Sequence, residues 1–146
     1  MHSADEIIAH LGLKPHPEGG HYKETFRSVG PDPSPDSSEG RAACTTIHYL
    51  LKRGESSHWH RVDADEVWCF HAGDPLELRI SDGTHIVSHT LSSDALLHTP
   101  QVVVPAGQWQ AAKPIGEFTL VSCVVAPGFE FSGFEMAPPC WEPGPT

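Results

Sequence analysis

From position 42 onward, apolar and polar residues alternate in short runs broken by turn residues, the period of half-buried strands. The runs are Thr45 to Leu51, Glu66 to Phe70, Pro75 to Ile80, Thr84 to Leu91, Gln101 to Val104 and Phe118 to Val125. Leu76, Leu78 and Ile80 oppose Glu77 and Arg79, while Glu66, Trp68 and Phe70 share one face. Asp82-Gly83 supplies a hairpin turn. Upstream, Pro15 and Pro17 bar a helix and Gly19-Gly20 marks a turn, so that His16 to Gly20 is expected to be a turn. A strand then starts at His21, with Tyr22, Glu24 and Phe26 on one face and His21, Lys23, Thr25 and Arg27 on the other. Only the first residues read as helix. Ser3 caps it with Glu6 three positions on, Ile7, Ile8 and Leu11 form its apolar face, and Gly12 ends it. The expectation is an all-β sandwich or barrel with a short N-terminal helix, a single domain over 1–146 with no internal repeat. Residues 29–40, rich in Pro, Ser and Asp, read as a mobile loop, and 138–146 as an irregular tail that Trp141 pins down.

Composition sharpens this picture. Thirteen glycines and 14 prolines in 146 residues suit many tight turns and argue against a helical bundle. Nine Lys and Arg against 19 Asp and Glu give a formal charge of -10, which repels phosphate backbones and argues against a nucleic-acid partner. No apolar run reaches membrane-spanning length, and the first residues lack a secretory pattern. Cys44, Cys69, Cys123 and Cys140 form no C-x-x-C pair. A soluble, cytoplasmic protein with free thiols is expected.

The chemistry concentrates in Gly54 to Gly73. His58 and His60 are two apart, so on a regular strand they point to one side, and Glu66 returns on the neighbouring strand. Two imidazoles and a carboxylate could bind a divalent transition metal. Equally, Glu66 could polarise His60 as a proton-transfer pair. Further on, Pro105-Ala106-Gly107 makes a turn, after which Gln108 and Gln110 share a face opposite Trp109. Trp68, sharing a face with Glu66, is expected to wall any pocket that Glu66 lines, with Phe70 a further contact on that face. Tyr22, Glu24 and Arg27 are candidates to fold over its mouth. Phe129-Glu130-Phe131 reads as packing, with Glu130 in solvent.

Gly54, His58, His60, Glu66 and Gly73 resemble the first conserved motif of the cupin superfamily, and Pro105, Gly107 and Gln110 resemble the second, with Gln110 where a fourth metal ligand, a His, usually stands. His16-Pro-Glu-Gly-Gly20, Tyr22, Glu24, Arg27-Ser28, Trp59-His60-Arg61, Asp65 to Trp68, Gly73 to Leu76, Val104 to Gln110 and Ala126 to Phe131 are similar to one of its subfamilies, the cupin-5 family (domain of unknown function 985). The resemblance runs from Ile7 to about Phe134. It implies a double-stranded β-helix (jelly-roll) barrel, a homodimer, and an internal polar pocket similar to that of sugar-nucleotide epimerases. It implies no particular reaction.

Three functions follow as expectations. The first is an epimerase- or isomerase-like enzyme without a cofactor, acting on a small carbohydrate- or nucleotide-like ligand, with His60 moving a proton, Glu66 tuning it, Gln110 holding an oxygen and Trp68 walling the pocket. The second is a metal-dependent cupin with His58, His60, Glu66 and Gln110 as ligands. The third is a non-catalytic module binding a small molecule.

Overall fold

A computed structural model describes residues 2–29 and 40–144. Most of the segment expected to be a mobile loop, and the last two residues of the tail, therefore lie outside the described residues. Helix α1 (Ala4–Leu11) carries both halves of its capping box, with Ser3 Oγ accepting from the Glu6 N–H at 3.2 Å and Glu6 Oε2 from the Ser3 N–H at 2.8 Å. Gly12 closes it at φ 68°, a left-handed conformation that glycine adopts without strain. Its apolar face packs Ile7, Ile8 and Leu11 against Leu13, Leu50 and Phe118.

Among the described residues eleven strands follow: β1 (Lys14–Pro15), β2 (His21–Arg27), β3 (Thr45–Lys52), β4 (Ser57–Val62), β5 (Asp65–Gly73), β6 (Leu76–Ser81), β7 (Ile86–Leu91), β8 (Gln101–Val104), β9 (Trp109–Pro114), β10 (Phe118–Ala126) and β11 (Phe134–Met136). They form two antiparallel sheets, ordered β1-β2-β3-β10-β5-β8 and β11-β4-β9-β6-β7. The runs read from the sequence all become strands. The strands that simple alternation did not delimit include β4 and β9, which carry His60 and Gln110.

Two β-bulges explain where strict alternation fails. The pairing of β2 with β3 shifts between Glu24 and Phe26, so Tyr22, Glu24 and Arg27 stand opposite Tyr49, Ile47 and Thr45. One extra residue turns Arg27 onto the face of Glu24 and leaves Phe26, expected to share that face, 55% exposed. In β4, Ser57 pairs with Ala112 and His60 with Gln110, three residues against two. His60 therefore turns inward with Ser57, not with His58, and the expected convergence of His58 and His60 is lost.

Both sheets contribute to one core. Tyr49, Leu51, Trp68, Val102, Val104, Val121 and Cys123 from the first meet Leu76, Leu78, Leu91 and Ala112 from the second. This cluster fills one end of the interior with hydrocarbon. The tail closes the outside of the second sheet: Trp141 packs edge-on to Trp59, ring centroids 6.2 Å apart, and tilted on Trp109 at 4.7 Å.

Candidate functional site

The other end of the interior is hollow. A cavity of about 510 Å³ opens there, with His60 of β4, Glu66 of β5, and Cys123 and Val125 of β10 on its wall. Tyr22, Glu24 and Arg27 of β2 line it as well, brought to one face by the bulge. Arg27 is clamped there, its Nε and Nη2 donating to Glu24 at 3.2 and 2.6 Å and Nη2 also to the Phe129 carbonyl at 3.1 Å.

A residue that the sequence marked only as part of a turn supplies the central contact. Glu18 is 7% exposed and reaches His60 Nε2 at 2.8 Å through Oε2. It gets inside because the turn from His16 to Gly20 presses flat against the barrel. That turn is closed by the His16 N–H donating to the Gly20 carbonyl at 2.9 Å, and the His58 N–H donates to the Glu18 carbonyl at 2.9 Å. Tyr49 donates its hydroxyl to the Gly19 carbonyl. A Cβ on Gly19, at φ 113°, would lie 2.0 Å from the Ser56 carbonyl oxygen, so only glycine fits. Gly19→Ala should therefore destabilise by at least about 1–3 kcal/mol from strain alone, measured by urea unfolding. A neutral result would show that the turn can back away from β4.

His60 Nδ1 lies 2.8 Å from the His58 carbonyl, which can only accept, so Nδ1 carries a proton. A second proton must then sit between Nε2 and Glu18. Burial, the largest influence, pulls the His60 pKa down, but the charge and hydrogen bond of Glu18, helped by Glu66, override it and raise it to about 9. Burial likewise pushes Glu18 up, yet the His60 charge and hydrogen bond leave it below its ordinary value. The pair is an imidazolium–carboxylate at neutral pH. His16, 3.7 Å from the other Glu18 oxygen, is pushed down by burial and stays neutral.

Glu66, also 7% exposed, is in a different state. Burial raises it, the His60 charge lowers it, and the nearby Glu18 charge raises it again, leaving it at about 7. Gln110 braces it. Trp68 Nε1 donates to Gln110 Oε1 at 2.8 Å, which fixes the amide so that its Nε2 donates to Glu66 Oε1 at 3.0 Å. The Cys123 thiol lies beside the same carboxyl. Burial, reinforced by the Glu66 charge, pushes its pKa well up, so it remains a thiol and is no nucleophile.

The expected residues thus divide. His60, Glu66, Tyr22, Glu24 and Arg27 meet at the cavity. Trp68, on the Glu66 face, and Gln110, from the opposite sheet, lie a layer deeper, fully buried, so Trp68 walls the core, not the void. Phe70 packs partly buried against the same core. His58 turns outward and donates Nε2 to the Pro138 carbonyl at 3.0 Å. The four-ligand set does not fit a metal, since His58 points away, both His60 nitrogens are engaged, and the Gln110 oxygen is taken by Trp68. Among the described residues no three His, Cys, Asp or Glu side chains are grouped to hold one. Glu130, expected in solvent, lines the cavity with Phe129 and Phe131, as does Phe134. The paired glycines after Glu18 were the available signal for what the alternation pattern missed. Nothing comparable marked Phe134.

The family model of the cupin-5 group, a cupin-superfamily domain of unknown function (985), matches residues 5–137. The chain belongs to the cupin-5 family. Among solved structures, this cupin is similar to a Shewanella oneidensis protein, at 39% identity over 94% of this chain and 85% of that one, TM-score 0.84. It is similar also to a hypothetical protein from Leishmania major, at 33% identity over 93% and 88%, TM-score 0.82. A dTDP sugar isomerase from Desulfovibrio desulfuricans shares the fold, at 13% identity over 80% and 83%, TM-score 0.59. No curated protein matches the cupin. Among the described residues no helix is long and apolar enough to cross a membrane.

Proposed function

We propose that the barrel binds a small, carbohydrate-like molecule and shifts a proton on it, as an epimerase- or isomerase-like enzyme. The observation that carries this is a buried acid–base set, Glu18, His60 and Glu66, on the wall of one accessible cavity. Buried ionisable groups are costly, and such groups in a cleft mark sites of chemistry. The roles differ from those expected from the sequence. His60, held protonated by Glu18 and with both ring N–H groups engaged, cannot act as a base near neutrality; its charge acts on Glu66, whose pKa it lowers against burial. Glu66, at about 7, is the group suited to take a proton from a carbon beside a carbonyl and return it. Gln110 acts through Glu66 as a positioning residue. The distant sugar isomerase lends support only through the fold.

The test is exchange of C–H for C–D in a panel of aldoses and ketoses in D2O, followed by proton NMR. Loss of a proton beside the carbonyl is expected with the native protein and should slow by about 10²–10⁴-fold in Glu66→Gln. Native mass spectrometry of the purified protein identifies what the barrel carries. Exchange unaffected by Glu66→Gln, or a co-purified ligand that leaves the cavity residues unperturbed, overturns the reading.

A further inference from the structure

The charge lining the cavity narrows the substrate beyond that reading, on which this inference rests. Four carboxyl groups, Glu18, Glu24, Glu66 and Glu130, face it against two cations, His60 and Arg27. Both cations are already neutralised. His60 gives Nε2 to Glu18 and Nδ1 to the His58 carbonyl. Arg27 is held by two bonds to Glu24 and a third to the Phe129 carbonyl. Once these pairs cancel, Glu66 and Glu130 remain. Arg41 is not on the wall; it feels the Glu130 charge but spends its donors on both oxygens of Asp63 and on the Gly128 carbonyl. A phosphate entering this space would find its prospective donors engaged and carboxylates opposing it.

The apolar part of the wall points the same way. Tyr22, Phe129, Phe131 and Phe134 line the cavity beside Glu24 and Glu130, and Phe131 stands 58% exposed at its edge. Ring faces attract cations and do nothing for anions. We infer that the ligand is a small carbonyl compound carrying an ammonium group and no phosphate, its cationic end held among the aromatic rings and Glu130. This sets the cavity apart from a nucleotide-sugar site, which must bind a diphosphate.

Three probes that share a ring and differ in charge test this at pH 7.5: benzylamine, benzyl alcohol and benzylphosphonate. Methyl resonances of Ile47, Val62 and Val125 report on the cavity by NMR titration. Benzylamine is expected to bind about ten-fold tighter than benzyl alcohol, the worth of one charge-assisted contact, with benzylphosphonate weakest. Glu130→Gln should remove most of that ten-fold preference while leaving benzyl alcohol unchanged. Equal binding of all three, or tightest binding of the phosphonate, overturns the charge preference and leaves the barrel a binding site. No perturbation of the cavity methyls by any probe overturns the proposed function as well.

Discussion

Glu18→Ala is expected to cost about 3–5 kcal/mol at pH 7, because it removes the carboxylate that keeps the buried His60 charged and so breaks the buried ion pair. The loss should fade in alkali. The folded His60 pKa is raised, from 6.5 to about 9, so the stability it contributes is fully present below 6.5 and is lost as pH rises through about 9. Above that, His60 is neutral in the native protein as it already is in the variant at pH 7, and the ion pair no longer separates the two. Urea unfolding at pH 7 and pH 10 measures both values, and the His60 ring proton shifts give its pKa directly. In the variant that pKa should fall below 6.5, burial being left with only Glu66 and the His58 carbonyl to oppose it. Glu18→Gln separates charge from packing, since it keeps the side-chain volume and a hydrogen-bonding oxygen. A loss that is small and identical at the two pH values would show that the pair contributes nothing net, and that His60 is neutral in the barrel.

The architecture was legible because it depends on local signals that add up. Alternation gave the strands, Ser3 and Glu6 gave the helix start, and paired turn residues gave the breaks. The family motifs then closed those strands into a barrel. The site was legible only in part, because side-chain direction depends on register. One inserted residue in β4 separates His58 from His60, and one in β2 carries Arg27 to the face of Glu24. Neither insertion has a glycine or proline to announce it. Depth was equally hidden. Trp68 and Glu66 share a face, yet only Glu66 meets the void, because the hydrocarbon core ends between them. Glu18 escaped for a different reason. A glutamate in a Pro- and Gly-rich turn is ordinarily solvated, and its burial follows from the tight approach of Gly19 and Gly20 to β3 and β4, which is a long-range property.

Glu66→Gln should make the protein more stable above neutrality while abolishing proton transfer. For an acid whose folded pKa is raised, the folded state holds the proton more tightly than the unfolded one. Its stabilising contribution is therefore complete below the ordinary value of 4.5 and is lost as pH rises through about 7. At 1.36 kcal/mol per unit, the native protein should give up about 2–3 kcal/mol across that window from this group. The amide resembles the protonated acid and never ionises. Its oxygen can still accept from Gln110 Nε2, which Trp68 holds in place. The variant should match the native protein at pH 4.5 and exceed it by about 2–3 kcal/mol at pH 8, a rise of several degrees in Tm for a domain of this size. Paired thermal or urea melts at the two pH values measure it. A gain at pH 8 coupled to lost exchange chemistry is the trade expected of a group kept for reactivity at the expense of stability. No gain would mean that Glu66 ionises as readily in the barrel as in water, and the cavity would then lack the neutral-pH acid–base group on which the proposed reaction turns.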